Sequence, residues 1–153
     1  MNNDLYKLRP SSAFIAASRA SLVIGIGAYV IGLWTSAMSL NEKGFYFACL
    51  LLGLFAAISL QKAVRDKLEG IRVTGTYTNV CWAALVAALA MVSIGLFNAT
   101  FELATKGFFG MAYALSLFAV LTVQKNVRDM ELFRNPKDDL LESGSDFRGG
   151  DQQ

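Results

Sequence analysis

Two short stretches of this chain combine amide, cation and carboxylate, and they are one motif written twice. Gln61-Lys62-Ala63-Val64-Arg65-Asp66 recurs as Gln124-Lys125-Asn126-Val127-Arg128-Asp129. On a helix, Gln61 and Arg65 share a face, as do Lys62 and Asp66, because residues four apart are neighbours. Such a group has two kinds of use. It can be structural: cations settle near a helix C-terminus for about 0.3–1 kcal/mol and anchor to lipid headgroups. In the same vein, two copies facing each other could form a clasp, Arg65 with Asp129 and Arg128 with Asp66, through charge-assisted bonds. The other use is a ligand or partner site. Helix-end stabilisation needs only positive charge, yet here Gln, Val and Asp keep a fixed order in both copies.

Other chemistry is hard to build from these residues. The chain has no histidine, so the usual general base and metal ligand are missing. There is no HExxH, CxxC, phosphate-binding loop or glycine-rich dinucleotide fingerprint. Catalytic, cofactor and metal sites are therefore not expected. Cys49 and Cys81 differ from their repeat partners, Ala112 and Ser18, and read as small buried packing residues.

The elements that carry the motif come from a duplication. The two copies are 63 residues apart, and Gly32-Leu33-Trp34, Lys43-Gly44-Phe45 and Leu54-Phe55-Ala56 recur at the same offset. The chain divides into a polar arm (1–12), unit one (13–66), a linker (67–77), unit two (78–129) and an acidic tail (130–153) expected to be disordered. Each unit contributes two apolar blocks: Ala16–Trp34 and Gly44–Leu60, then Thr78–Phe97 and Gly107–Val123. The last three carry no Lys, Arg, Asp or Glu. Helical spans need roughly 17–25 residues, and an open sheet could not satisfy its backbone in lipid. A soluble bundle would need polar helix faces, and Leu50–Ala57 has none. A cleaved signal peptide in place of block one would leave unit one half built, whereas block three occupies the same place in unit two.

Charge sets the expected orientation. All but two of the 14 Lys and Arg fall before block one or, as Arg19, near its start, between blocks two and three, or after block four. The exceptions are Lys43 and Lys106 at the hairpin tips. The positive-inside rule then puts both termini in the cytoplasm. The basic residues suit anionic lipid at that face and imply no nucleic acid. Units that enter and leave on one face share an orientation, so their axis should lie along the membrane normal.

Small residues mark expected helix contacts: Cys49, Gly53 and Ala57; Ala112, Ser116 and Val120; Ala13, Ala17, Ser21 and Gly25; and Ala83, Ala87 and Gly95. Trp34, Phe45, Tyr46, Phe97, Phe108 and Phe109 flank the tips as an expected interfacial belt. Lys43 and Lys106 are expected to reach the outer headgroups.

Gly32-Leu33-Trp34, Leu40–Tyr46, Leu52–Phe55 and Gln61–Lys67 together resemble the YiaA/YiaB family of bacterial inner-membrane proteins, built from the YiaAB two-helix domain. The likeness covers about residues 13–130, with the domain present twice. Unit two departs mildly, with Phe97 in place of Trp and Ala104-Thr105 in place of Asn-Glu. The resemblance implies a four-span, two-repeat inner-membrane protein and no reaction.

The sequence thus predicts an all-α integral membrane four-helix bundle made of two parallel tandem helical hairpins. Its role is expected to be structural or protein-interacting in the bacterial envelope, with a second copy or another membrane protein as partner. The alternative is a small oligomeric transporter or channel, with Ser59, Gln61, Thr122 and Gln124 lining a vestibule. The candidate clasp or interaction residues are Gln61, Lys62, Arg65, Asp66, Gln124, Lys125, Arg128 and Asp129.

Overall fold

Four helices account for nearly all of residues 11–131, which are the residues described by this computed structural model. They are α1 (Ser12–Thr35), α2 (Leu40–Leu68), α3 (Gly75–Asn98) and α4 (Leu103–Glu131). Met130 and Glu131, the first residues of the expected disordered tail, are instead helical; the rest of the tail and most of the N-terminal arm lie outside the described residues. All four helices are long and apolar enough to cross a membrane. At 29 residues, α2 and α4 reach about 43 Å at 1.5 Å per residue, beyond a hydrocarbon core of about 30 Å. Their last two turns, which carry the motif, therefore project past the apolar layer.

Local chemistry explains where the helices start and stop. The hydroxyl of Ser11 accepts from Phe14 N at 3.2 Å and caps α1. A capping box opens α2: Ser39 N donates to Glu42 Oε2 at 2.8 Å, and Glu42 N donates back to Ser39 Oγ. The end of α2 is a Schellman motif. Ile71 N donates to Asp66 O at 2.9 Å and Gly70 N to Lys67 O at 3.3 Å. Gly70 sits at φ +77°, a left-handed conformation that suits glycine. Lys43 and Lys106 do not simply reach for headgroups. Their Nζ atoms turn back to donate to Trp34 O (3.1 Å) and Phe97 O (3.0 Å), satisfying carbonyls at the ends of α1 and α3.

The helices do not pack chiefly with their own repeat partners. The largest interfaces join α1 to α4 and α3 to α2, the central pair α2 and α4 meet along a smaller one, and α1 does not touch α3. In cross-section the bundle is a rhombus with α2 and α4 on its short diagonal, and the two units interlock. Glycines permit the crossings in matching fashion. A Cβ on Gly32 would lie 2.8 Å from Phe108, and one on Gly95 would lie 2.8 Å from Phe45. A Cβ on Gly25 would lie 2.9 Å from Ser116 Oγ.

Burial corrects two expectations. The predicted stripes in α2 and α4 are buried, but Ala13, Ala17, Ala83 and Ala87 are exposed. The buried face of α1 runs through Ser18, Gly25, Tyr29 and Leu33, and that of α3 through Cys81, Ala88 and Val92. Small residues occur all round α1 and α3, so spacing alone did not single out the face. Likewise Tyr46 and Phe109 are core rather than belt. Trp34 and Phe97 remain over 80% exposed at the tips, as interfacial anchors should. Many large apolar side chains face outward along the spans, among them Val23, Ile31, Phe55, Ile94, Met111 and Phe118. In water such a surface would aggregate; in a bilayer it is the contact with lipid.

At the tip end the bundle is filled. Tyr29 and Phe109 meet edge to face at 5.5 Å, and Tyr46 stacks on Phe109 at 6.3 Å. Tyr29 Oη donates to Tyr46 O (3.1 Å) and Tyr113 Oη to Cys49 O (3.2 Å), so both buried hydroxyls are satisfied by α2 carbonyls. Cys49 and Cys81 are buried free thiols.

Candidate functional site

Opposite the tips, the last turns of α2 and α4 bring the two motif copies together. Gln61, Lys62, Arg65, Gln124, Lys125 and Arg128 line one small cavity of about 30 Å³. Every lysine, arginine and glutamine of the motif is there, from both units. Beside it runs an apolar groove of about 370 Å³ between α2, α3 and α4. The groove includes Leu60, Val64, Leu68, Leu85 and Leu121 and shares Gln61, Arg65 and Arg128 with the cavity.

The arginines do not form the cross-unit clasp. Arg65 Nη2 lies 3.0 Å from Asp66 Oδ1, and Arg128 Nη2 lies 3.0 Å from Asp129 Oδ1. Each Arg Nε is 3.3 Å from the same carboxylate oxygen, and Arg65 also approaches Glu69 at 3.7 Å. Symmetry explains the difference. Two copies of the same helix end meet at one cavity and put like beside like, so Arg65 and Arg128 both line it. The aspartates, one position on, are rotated by about 100° away from the partner helix and fall beside their own arginines. Asp66 and Asp129 neutralise two of the four cations around the cavity, and Lys62 and Lys125 supply the remaining positive charge.

Gln61 crosses between helices. Its Nε2 donates to Leu121 O at 3.3 Å. Its Oε1 is buried and has no hydrogen-bond partner among the described residues. A buried acceptor left unmade costs about 1–3 kcal/mol, so this atom is a natural receiver for a donor on a bound molecule. Of the residues proposed for a vestibule, Gln61 and Gln124 line the cavity, whereas Thr122 Oγ1 donates to Phe118 O in its own helix.

Sequence reasoning missed the most buried position of the motif. It is the variable one, Ala63 in unit one and Asn126 in unit two, 1% and 2% exposed. Asn126 Nδ2 donates to Ser18 Oγ at 2.8 Å, and Ser18 Oγ donates to Ile15 O at 2.9 Å. The available signal was the departure from the repeat itself: Asn for Ala in a buried slot, and Ser18 for Cys81 in its partner slot. Together they join α1 to α4 directly behind the cavity.

A model of the yiaA/B two-helix domain matches this chain twice, at residues 14–66 and 77–129. The chain belongs to that family. It is 52% identical over 129 residues to the inner membrane protein YiaA of Escherichia coli (strain K12), covering 84% of this chain and 88% of that one. The Escherichia coli inner membrane protein YiaB is 27% identical over 116 residues, 74% of this chain and 88% of its own. The membrane protein YubF of Bacillus subtilis (strain 168) is 35% identical over 65 residues, 42% of this chain and 75% of its own, about the extent of one repeat unit. No solved structure matches the chain. Four apolar helices and membrane-protein relatives make this family member a multi-pass membrane protein.

Proposed function

We propose that this YiaAB-family chain is a non-enzymatic protein of the bacterial inner membrane, with both termini in the cytoplasm, that acts by contact through its motif end. The observation that supports this reading is the convergence of two motif copies, distant in sequence, on one cavity. Helix-end charge alone would not require the two ends to meet. Orientation rests on the charge pattern: the motif end gathers cations, and each tip has a single lysine, engaged in capping. The role is structural or protein-interacting. A transporter or channel is the second reading, favoured by the polar cavity with its unpaired Gln61 oxygen. The filled aromatic half leaves a single copy without a lumen there, so flux would require several copies.

The test is photo-crosslinking in native membranes, with the crosslinking residue placed at Lys62 or Lys125 and, as a control, at Trp34 or Phe97. Discrete protein products are expected from the motif positions and not from the tips. Motif positions that capture no more than the tips would count against the reading. Solute flux through purified protein in liposomes would replace it with the transport reading.

A further inference from the structure

From the motif cavity and its adjoining groove, we infer a binding site for one anionic phospholipid, its phosphate among Lys62, Arg65, Lys125 and Arg128 and an acyl chain along Leu60, Leu85 and Leu121. This rests on reading the motif end as an interaction site and names the ligand class of that site.

Three observations carry it. The first is charge. Four cations from two helices surround a cavity of about 30 Å³, and Asp66 and Asp129 compensate two of them. Like charges held this close favour an anion between them, and the space suits a phosphate-sized group. The second is continuity. The apolar groove shares Gln61, Arg65 and Arg128 with the cavity. A molecule occupying both must be anionic at one end and aliphatic at the other. Leu85 and Leu121, deeper in the spans on the groove wall, are only partly buried, so the groove opens to the bilayer, from which such a molecule would enter. The third is Gln61 Oε1, buried and lacking a donor among the described residues, on a residue that lines the phosphate-sized cavity. A hydroxyl-bearing headgroup of the glycerol type supplies one. An ammonium headgroup could also donate, but its positive charge would be repelled by the four cations.

The phosphate could equally come from solution, and the experiment separates the sources. The full-length chain is purified in mild detergent. Its thermal stability and lipid retention by native mass spectrometry are measured with phosphatidylglycerol, phosphatidylcholine of the same acyl chains, or inorganic phosphate. Expected is one retained phosphatidylglycerol per chain, with stabilisation that phosphatidylcholine and phosphate do not give. Lys62→Gln with Lys125→Gln should weaken retention by about 30-fold, from the usual worth of two basic side chains at an anionic surface. Leu85→Trp, which fills the groove and leaves the charges intact, should also lose the lipid. Equal retention of both lipids, or retention unchanged in the lysine double variant, overturns the proposal. Stabilisation by inorganic phosphate that survives Leu85→Trp also overturns it, assigning the cavity to a soluble anion. If lipid retention fails while motif-position crosslinks to a protein persist, the interaction reading stands and only the lipid falls. If both fail, both fall.

Discussion

The bundle has two long seams that the repeat makes equivalent, α1 on α4 and α3 on α2, and they are held by different chemistry. The first is polar at intervals: Ser18 with Asn126, Gly25 against Ser116, Tyr29 against Phe109. The second has Cys81, Ala88 and Val92 on α3 at the positions equivalent to Ser18, Gly25 and Tyr29, and the same offset makes Ala63, Gly53 and Tyr46 on α2 the counterparts of Asn126, Ser116 and Phe109. The repeat makes the two seams counterparts, and only the first carries the Ser18–Asn126 hydrogen bond. Apolar surface distinguishes helix contacts poorly inside lipid, where tails are as apolar as leucine. Hydrogen bonds and close-fitting glycines fix register there. The polar seam should therefore set alignment, and the apolar seam should follow.

That contrast can be broken most severely in the shared aromatic core. Tyr29→Ala should cost about 3–5 kcal/mol, the usual range for aromatic truncation at a filled site. The equivalent change in the apolar seam, Val92→Ala, removes far less volume and should cost roughly 1.6 kcal/mol, two buried methylene equivalents. Unfolding in detergent by both variants would show whether the seams are as unequal as their packing.

Next in size is crowding at the centre. A Cβ on Gly53 would overlap the Tyr113 hydroxyl. Gly53→Ala should cost about 1–3 kcal/mol by overpacking. Adding Tyr113→Phe should recover part of that loss by removing the obstructing hydroxyl. Failure of the second change to help would mean that Tyr113 does not sit over Gly53.

Smaller again is the lock behind the cavity. Asn126→Ala should cost about 0.6–1.7 kcal/mol, the range for hydrogen bonds between membrane helices. The reciprocal Ala63→Asn places a polar group opposite Cys81, a weak partner, and should not stabilise. Equal effects at the two positions would erase the distinction between the seams.

The smallest effect concerns the arginines. Each arginine pairs with its neighbour while its own side chain stays more than one-third exposed, so Arg65→Ala should cost under about 1 kcal/mol. The exchange Arg65→Asp with Asp129→Arg should give no rescue beyond the sum of the single changes. A clear rescue would restore the cross-unit clasp.

Much of this architecture was legible in the sequence. Four apolar blocks and an offset of 63 residues are enough to call spans and units. The motif was legible as a candidate site because both copies end the same kind of helix. Its internal pairing was not. Opposite charges in two copies suggest a clasp, and only the meeting of like ends, with Arg65 and Arg128 at one cavity, shows why each turns to its own aspartate. Partner choice was also hidden. A repeat states that α1 and α3 are equivalent, but not whether each lies on its own second helix or on the other unit's. Depth within an aromatic cluster was equally unreadable: Phe45 and Tyr46 are adjacent, yet Tyr46 is core and Phe45 more than one-third exposed. The buried Asn126 was overlooked because a repeat draws attention to what is kept, whereas this lock lies in what changed.

The central claim is that the two units interlock, with α1 packed chiefly on α4. It is tested most directly by cysteine crosslinking in membranes, in a background where Cys49→Ala and Cys81→Ser borrow the residues that the repeat itself tolerates at Ala112 and Ser18. Ser18→Cys with Asn126→Cys should crosslink rapidly under mild oxidation. Ser18→Cys with Ala63→Cys, the same position on the first unit's own second helix, should not. Rapid crosslinking of Ser18→Cys with Ala63→Cys, and none with Asn126→Cys, would mean that each unit closes on itself and would contradict the interlocked fold.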